Sequence, residues 1–527
     1  MSVSPVVPQV SNWPASLGAV SPALARYEQI LYTHCTYATA ALIRGASQSP
    51  YGYSARASSL SNEALQNCCR HHIEPLLGRI YDLPPDSPSE SRSKQTALTA
   101  PVRLCYEPAE GEAGLLGRVC YRPFDVTDER VGSYFAHFIT LADNGASRRN
   151  RALDCLRLWG ATGWRSQDSP RIEWDLPALA SPETLLAGRR PAIHESVVRS
   201  FLTDQGGGFD DPQRVIPAAC RERSPAARRQ IVDTLLRGVL DVDSAGQGGR
   251  ILLVAEPGLA ALLFFAVLRL LPQQIAARYA SFSTYETDLQ TLPAALVATT
   301  FFNPQCGELT PERRAAAAFF FDVQRNDHSP LSSNSSVYPA RVLNLLATQG
   351  WEAVDRWLAR LESASAAELV ERTAIEEIAE RWTAPDDTLR QPQATCLADC
   401  DPRQRSWLAA ALVDHLRHVL PVENLSTPLV EQRIARLPVP LQRDLLETAL
   451  DEGQRNPQFR RWAGKLAEVW PSEWIRQALL EDHAGLLGTI AAPCWVNRFR
   501  GELPSLADPT QAEEFNNRLH ILELLTA

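Results

Sequence analysis

The sequence of 527 residues is 45% hydrophobic and 21% charged, which excludes a disordered chain because enough apolar surface can be buried to offset the ordering entropy. Its length excludes a single ordinary core and predicts about three or four folding units. The formal net charge of -9 gives no general attraction to phosphate backbones or anionic lipid. A non-specific nucleic-acid binder is therefore disfavoured.

Three features of the chain predict a cytoplasmic protein. Residues 1–20 lack a basic start and a continuous apolar core, so no signal peptide is expected. The most apolar window, 251–272, is interrupted by Glu256, Pro257 and Arg269, which leaves too short a run to span a bilayer. The 11 cysteines are scattered along the chain and odd in number, as is typical of reduced cytosolic thiols.

The N-terminal part predicts a lead-in segment over 1–30 and a β-rich domain over 31–145. After a strand-like opening near Tyr27, helical spacing covers 62–77, and a loop rich in proline and serine covers 83–96. Short β-rich runs then follow, separated by turn residues, at 102–106, 115–121 and 134–141. This spacing predicts an antiparallel β meander.

A mixed α/β middle domain is predicted over 146–330. Its glycine-rich patch at 204–212 is a loop or hinge candidate, and 230–240 has helical spacing. Further on, an apolar strand, a turn and an apolar helix are expected within 250–271, with two more strands at 280–285 and 294–302. The serine-rich segment 329–336 is expected to close this domain as a linker.

The remainder, 337–527, predicts an α-helical C-terminal domain. Apolar residues recur there at spacings of three and four, as at Leu408, Leu412, Leu416 and Val419, and prolines separate the helices. The predicted fold class is thus an α+β N-terminal half, made of an antiparallel β meander and a mixed α/β unit, followed by an irregular all-α domain.

Phosphate-binding motifs are not matched. A phosphate loop needs glycines and a lysine followed by serine or threonine, and neither Lys94 nor Lys465 has that context. The strand, turn and helix around Pro257 and Gly258 resemble the start of a dinucleotide-binding unit, but the required glycine spacing is missing. No nucleotide cofactor is predicted.

The best metal-ligand pattern is Cys396, Cys400, His415 and His418. Two thiols followed by two imidazoles approximate a structural zinc site, although the gap between the histidines is shorter than usual. The competing interpretation is an amphipathic helix with two surface histidines. A structural zinc is kept as the only candidate cofactor.

Other reactive residues have structural interpretations. Cys68, Cys69, His71 and His72 are helical neighbours that cannot all face one ion, so helix packing is expected. A nucleophilic pair such as Cys35 with His137 would need a fold to test it. Two arginine-rich pieces could clamp a phosphate or an acidic partner, with solvated surface as the alternative, at Arg148, Arg149, Arg151 and at Arg221, Arg223, Arg228, Arg229.

His137 alternates with Phe135 and Ile139 along a predicted strand. A histidine between large apolar neighbours is usually buried and hydrogen-bonded. We therefore predict that a face with Tyr134, His137 and the segment 282–285 is structural and joins the β-rich domain to the mixed unit.

Four segments in order carry a resemblance to a known family: YGYSARASSLS at 51–61, LPPDSP at 83–88, GSYFAHFITLA at 132–142 and LPQQIAARYASFSTYETD at 271–288. Together they resemble the N-terminal (type two) and middle domains of the bacterial GTPase-associated protein one family, over roughly 30–305. The resemblance implies a component of a nucleotide-dependent bacterial conflict system encoded beside a GTPase, and it supplies no catalytic residue.

Two hypotheses of function follow. The first is a non-enzymatic adaptor, sensor or scaffold that couples a partner GTPase or effector to a trigger in bacterial antiviral defence through protein–protein contacts. The alternative is a hydrolase with an unrecognised Cys/His site. The partner in the first case is a protein, with no general nucleic-acid binding and no membrane span.

Overall fold

A computed structural model gives the fold. It describes residues 27–35, 52–77, 100–108, 114–124, 131–141, 145–165, 176–204, 215–246, 248–290, 292–301, 310–332, 337–362, 364–383, 400–419 and 434–456, with scattered positions beyond 456. Contacts divide the chain into two compact units, Met1–Leu369 and Val370–Ala527.

Ten strands among the described residues form one sheet in the first unit. In chain order they are β1 (Gln29–Cys35), β2 (Gly52–Ser58), β3 (Arg103–Glu107), β4 (Gly114–Phe124), β5 (Val131–Leu141), β6 (Ile251–Val254), β7 (Phe282–Ser283), β8 (Leu296–Thr299), β9 (Phe319–Asp322) and β10 (Asp327–His328). Across the sheet their order is β10-β9-β6-β8-β7-β3-β4-β5-β1-β2.

The N-terminal half of the sheet is antiparallel from β3 to β2. The predicted meander is confirmed, since β3, β4 and β5 cover the three expected runs. Gly117 lies opposite Phe138, and a side chain at Gly117 would overlap the Phe138 ring. This glycine therefore lets a large aromatic lie flat across two strands. The strand β2 was not predicted.

Alternation along β5 sends its side chains to two separate cores. Tyr134, Ala136 and Phe138 face a small cluster. This cluster is covered by α1 (Asn62–Cys68), a π-helical turn (Cys69–Ile73) and α2 (Glu74–Leu77), which confirms the predicted helix over 62–77. Ile139 faces the main core on the opposite side, where α3 (Arg148–Arg157) begins at its N-cap Ser147.

The other half of the sheet is parallel over β9, β6, β8 and β7. Its central strands β6 and β8 are fully buried and are apolar except for Thr299 at the end of β8, as expected for strands covered on both faces. The helices that follow α3 in this unit are α4 (Glu195–Thr203), α5 (Ala218–Arg221), α6 (Pro225–Ser244), α7 (Pro257–Leu270), α8 (Gln273–Arg278) and α9 (Pro311–Arg314).

Helix α7 is the centre of the main core. Every residue in it except Arg269 is buried, which is the environment that a helix apolar on all sides requires. The predicted strand, turn and helix are confirmed as β6 and α7. The predicted strands at 280–285 and 294–302 are present as the shorter β7 and β8, and the predicted helix at 230–240 extends to become α6.

Two helices that follow residue 330 belong to the first unit. They are α10 (Val337–Thr348) and α11 (Trp351–Arg360). Tyr338 stacks on Trp357 with ring centroids 5.1 Å apart and donates a 2.5 Å hydrogen bond to the carbonyl of Leu270 at the end of α7. Both rings lie in the main core.

The serine-rich segment before α10 is described as far as Ser332. Ser332 donates its backbone N–H and its hydroxyl to Asp241 of α6, at 2.8 and 2.5 Å. Its carbonyl accepts from Arg237 at 2.9 Å. Side chains of α6 thus hold Ser332 in place. The bounds of the four predicted segments stay predictions.

The described helices after α11 are α12 (Ala366–Thr383), α13 (Pro402–Val419) and α14 (Val439–Arg455). Leu408, Leu412 and Leu416 of α13 are buried, which confirms the predicted apolar spacing. The side chain of Val419 lies outside the described residues. The mostly helical C-terminal region follows the predicted fold class.

Some expectations concern residues that lie outside the described part. These are the loop at 83–96, most of the glycine patch at 204–212 and most of the lead-in segment over 1–30. Among the described helices, none combines the length and the apolar character needed to cross a membrane.

Candidate functional site

His137 is buried in β5 and makes hydrogen bonds at both ring nitrogens. Nδ1 accepts from the backbone N–H of Arg165 at 3.2 Å, so Nε2 carries the proton and donates to Oε1 of Gln29 at 2.9 Å. The rings of His137 and Trp164 meet in a T-shaped contact with centroids 5.2 Å apart. Burial, followed by the charges of Arg165 and Arg118, lowers the pKa of His137 to about 3. This imidazole is held neutral as a structural group.

The predicted face around His137 is corrected in one respect. Tyr134 points to the opposite side of the sheet from Ile139, into the smaller cluster. The segment 282–285 joins the antiparallel half through β3, because β7 pairs with β3 at Cys105 and Tyr106. Sequence alternation identified His137 as buried, but register between distant strands could not be inferred from it.

The thiols near the π-helical turn are buried against the smaller cluster. Burial raises the pKa of Cys68 and of Cys69 to about 12, with Glu107 and Glu74 among the lesser causes. Burial raises the pKa of Cys105, in the same cluster, to about 11. At neutral pH these groups are thiols rather than nucleophilic thiolates. The side chain of Cys35 lies outside the described residues, so its pairing with His137 stays untested.

A buried ion pair lies where β3 meets β7. The guanidinium of Arg103 is 2.5 Å from Glu286, and its Nε donates to Ser283 Oγ at 3.0 Å. Burial raises the pKa of Glu286, and Arg103 opposes that effect. Sequence reasoning missed this pair, although an arginine inside the apolar run VRLCY was a usable signal.

An exposed aromatic residue lies at the carboxyl end of the parallel strands. Phe301 follows β8 and is 40% exposed, and the guanidinium of Arg325 lies over its ring at 5.1 Å. The turn that carries Arg325 is fixed, since Asp322 accepts from the N–H groups of Gln324 and Arg325, both at 3.0 Å. The pair is a preorganised surface feature that the sequence analysis missed.

The turn that resembles a dinucleotide-binding start has a packing role. A Cβ at Gly258 would lie 2.5 Å from the backbone carbonyl oxygen of Val215, so glycine is needed there for close approach of two backbones. Pro257 occupies the first turn of α7 and removes one backbone donor from it. Close backbone packing accounts for this glycine without a bound phosphate.

The predicted zinc residues are only partly described. Cys396 and the side chain of His418 lie outside the described residues. Cys400 is partly exposed, and His415 Nε2 lies 3.3 Å from Glu376. Among the described residues no group of three or more histidine, cysteine or acidic side chains could hold a metal ion. The four-residue zinc site stays a prediction.

The arginine-rich pieces are partly used inside the fold. Arg149 donates to the carbonyls of Leu268 and Arg269 at the end of α7, at 2.8 and 2.7 Å. Arg228 is buried and donates to the carbonyls of Phe201, Arg221 and Arg223. Cations at helix C-termini compensate unsatisfied carbonyls. These two arginines have internal partners that account for them without an external phosphate.

Comparison with known proteins gives a family match in the N-terminal part of the chain. No curated protein and no solved structure matches the chain. Residues 26–182 match the model of the family described as GTPase-associated protein 1, N-terminal domain type 2.

The matched range holds the whole antiparallel half of the sheet, the helices α1 to α3, and the groups around His137. It ends before the segment 271–288, so the middle-domain part of the resemblance stays a prediction. The motifs at 51–61, 83–88 and 132–142 fall inside the match. Residues 26–182 are therefore similar to the domain described as GTPase-associated protein 1, N-terminal domain type 2.

Proposed function

We propose that the protein is a non-enzymatic adaptor or sensor, or a scaffold subunit, in a bacterial defence system. It couples a partner GTPase or effector to a trigger through protein–protein contacts. The observation that carries the proposal is the family match over residues 26–182, because the name of that family associates the domain with a GTPase.

The state of the reactive groups supports an adaptor over the rival Cys/His hydrolase. A hydrolase of that kind needs a thiolate activated by a neighbouring imidazole. Burial raises the pKa of Cys68 and Cys69 to about 12, and both nitrogens of His137 are occupied by internal hydrogen bonds. These groups contribute to packing instead of supplying a nucleophile and a base.

The exposed Phe301–Arg325 pair supports a contact surface on the first unit. Aromatic and arginine side chains are enriched among residues that dominate binding energy. The turn from Asp322 holds Arg325 in place before any partner arrives, which lowers the entropy cost of ordering it. We assign the partner contact to this pair.

The test is a titration of the full-length protein with the GTPase encoded beside it, in its GDP state and with a non-hydrolysable GTP analogue. The adaptor role predicts a complex in one nucleotide state that is at least about tenfold tighter than in the other. If neither state binds, the adaptor role for this GTPase is wrong.

The surface assignment has its own variants. Phe301→Ala is expected to weaken the complex about 30-fold, as for a residue that dominates an interface. Val439→Ala is the matched control, because Val439 is 57% exposed and lies in the second unit. If both variants bind the GTPase with equal affinity, Phe301 is not part of the contact. That result would not contradict the adaptor role.

A nucleotide titration of the isolated protein separates the adaptor from a nucleotide-binding subunit. We expect no binding of GTP or ATP, because the turn at Pro257 and Gly258 is explained by backbone packing and no phosphate-loop lysine is present. A micromolar complex with either nucleotide would contradict this expectation.

A further inference from the structure

The segment around β7 uses its polar side chains to join the N-terminal domain. Ser283 Oγ accepts from Nε of Arg103 at 3.0 Å, and Thr284 Oγ1 accepts from the backbone N–H of Leu104 at 2.8 Å. The backbone N–H of Thr284 donates to the carbonyl of Leu104 at 2.9 Å. Glu286 completes the set through its ion pair with Arg103.

The two sides of this junction come from different parts of the chain. Arg103 and Leu104 lie inside the range matched to the family, and Ser283, Thr284 and Glu286 lie about a hundred residues beyond its end at 182. All of these side chains are at least nine-tenths buried. The junction is therefore an internal interface and not a solvated surface.

Backbone pairing alone is a weak determinant of register here. Strand β7 has two residues and pairs with β3 at only Cys105↔Ser283 and Tyr106↔Phe282. A one-residue slip would reverse which side chains face each core. Side-chain contacts must therefore fix the register that two backbone pairs leave weakly determined.

The acceptors around Arg103 fit a guanidinium in three directions. One terminal nitrogen donates to the carbonyl of Leu76 at 2.6 Å, Nε donates to Ser283, and the other terminal nitrogen meets Glu286. An ammonium lacks this planar fork, so arginine and lysine are not interchangeable at such a site. A buried ion pair adds little net stability compared with apolar residues of equal volume, and its attested use is to fix register.

We infer that Ser283, Thr284 and Glu286 form a docking motif that recognises the N-terminal domain through the guanidinium of Arg103 and the backbone of Leu104. The motif covers the outer edge of β3, whose N–H and C=O groups would otherwise be open to another strand. The kind of partner that it fits is an antiparallel strand that begins with an arginine.

Native-state hydrogen exchange of the full-length protein tests the motif. Glu286→Gln keeps the shape of the side chain and leaves the Arg103 charge buried without its counter-ion. The amides of Leu104, Thr284 and Glu286 are expected to exchange about 100-fold faster or more. Amides of the β4–β5 pair, such as Phe138, are expected to change by less than about threefold.

Arg228→Gln is the matched control, because Arg228 is equally buried but has its partners around α4, α5 and α6. It is expected to speed exchange near those helices and to leave the junction amides unchanged. The docking motif is wrong if Glu286→Gln speeds exchange equally at the junction amides and at the β4–β5 amides. It is also wrong if exchange speeds up at neither set.

Ser283→Ala serves where Glu286→Gln gives no folded protein. It removes the acceptor of Nε and the hydroxyl that donates to the carbonyl of Tyr285, and we expect about tenfold faster exchange at the same three amides. No change at those amides in this variant would also overturn the inference. Arg103→Lys is expected to speed exchange at the same junction amides. If these amides stay fully protected from exchange in Arg103→Lys, the guanidinium geometry is not recognised.

Discussion

The antiparallel and parallel halves of the sheet bury polar groups in different ways. In the antiparallel half, polar side chains lie within the strands and form hydrogen bonds with residues distant in sequence, as at His137, Arg103 and Thr33. In the parallel half, β6 is apolar throughout, and polar groups such as Thr299 of β8 and Asp322 of β9 lie at the carboxyl ends of their strands. The first half depends on directional contacts and the second on packing.

The largest expected effect would come from the packed half. Phe264→Ala in α7 removes a fully buried ring and should lower the free energy of unfolding by about 3–5 kcal/mol, through lost transfer energy and a cavity. Urea unfolding measures it. Phe301→Ala is the control of equal chemistry at an exposed site. A Phe264→Ala effect below about 1 kcal/mol would mean that this half does not depend on packing.

A smaller loss is expected from the directional half. His137→Ala leaves Oε1 of Gln29 without its donor and the N–H of Arg165 without its acceptor, which should cost about 1–3 kcal/mol. His71→Ala, at an exposed histidine, is the control for thermal unfolding. Partner binding should weaken only as far as folding does. A variant that keeps its Tm and abolishes activity would make His137 functional and revive the hydrolase.

The pH dependence of the free energy of unfolding tests the buried His137 of the antiparallel half. The pKa of His137 falls from about 6.5 in the unfolded chain to about 3 in the fold, so the unfolded state binds the extra proton between these values. The stabilisation is present above pH 6.5 and is lost as the pH falls toward 3. Between pH 6.5 and 5 wild type should lose up to about 1.4 kcal/mol per pH unit more than His137→Gln. Parallel slopes would contradict a neutral, buried His137.

The smallest effect on stability is expected at the surface. Phe301→Ala should change the free energy of unfolding by less than about 0.5 kcal/mol, because the ring is exposed and lies outside the buried cores. Urea unfolding beside the binding titration measures it. A loss above about 2 kcal/mol would show that Phe301 supports the fold, and its effect on binding could not then be assigned to a contact.

Local patterns in the sequence predicted much of the fold. Alternation of apolar and polar residues predicted β3, β4 and β5. The apolar run before Glu256 predicted β6, followed by the helix α7. The strand β9 was missed because FFFD follows four alanines, and a short apolar run does not distinguish helix from strand. The strand β2 was missed because GYSARAS has small and polar residues where β-branched ones were expected.

Contacts between distant segments were beyond the reach of the sequence. Burial of His137 followed from its neighbours, but its partners Gln29 and Arg165 are 108 and 28 residues away. Arg103 and Glu286 each lie in a local pattern that gives no sign of the other. Only the order of strands brings them together, and no periodicity encodes that order.

The stacked pair of Tyr338 and Trp357 has a consequence for how this protein could be shortened or recombined during evolution. These rings belong to α10 and α11, yet they lie in the main core, and the hydroxyl of Tyr338 donates a hydrogen bond to the carbonyl at the end of α7. A gene fusion or deletion that ended the chain near residue 330 would uncover the aliphatic side chains beneath them. Recombination that keeps the first unit intact would have to place its junction after Leu369.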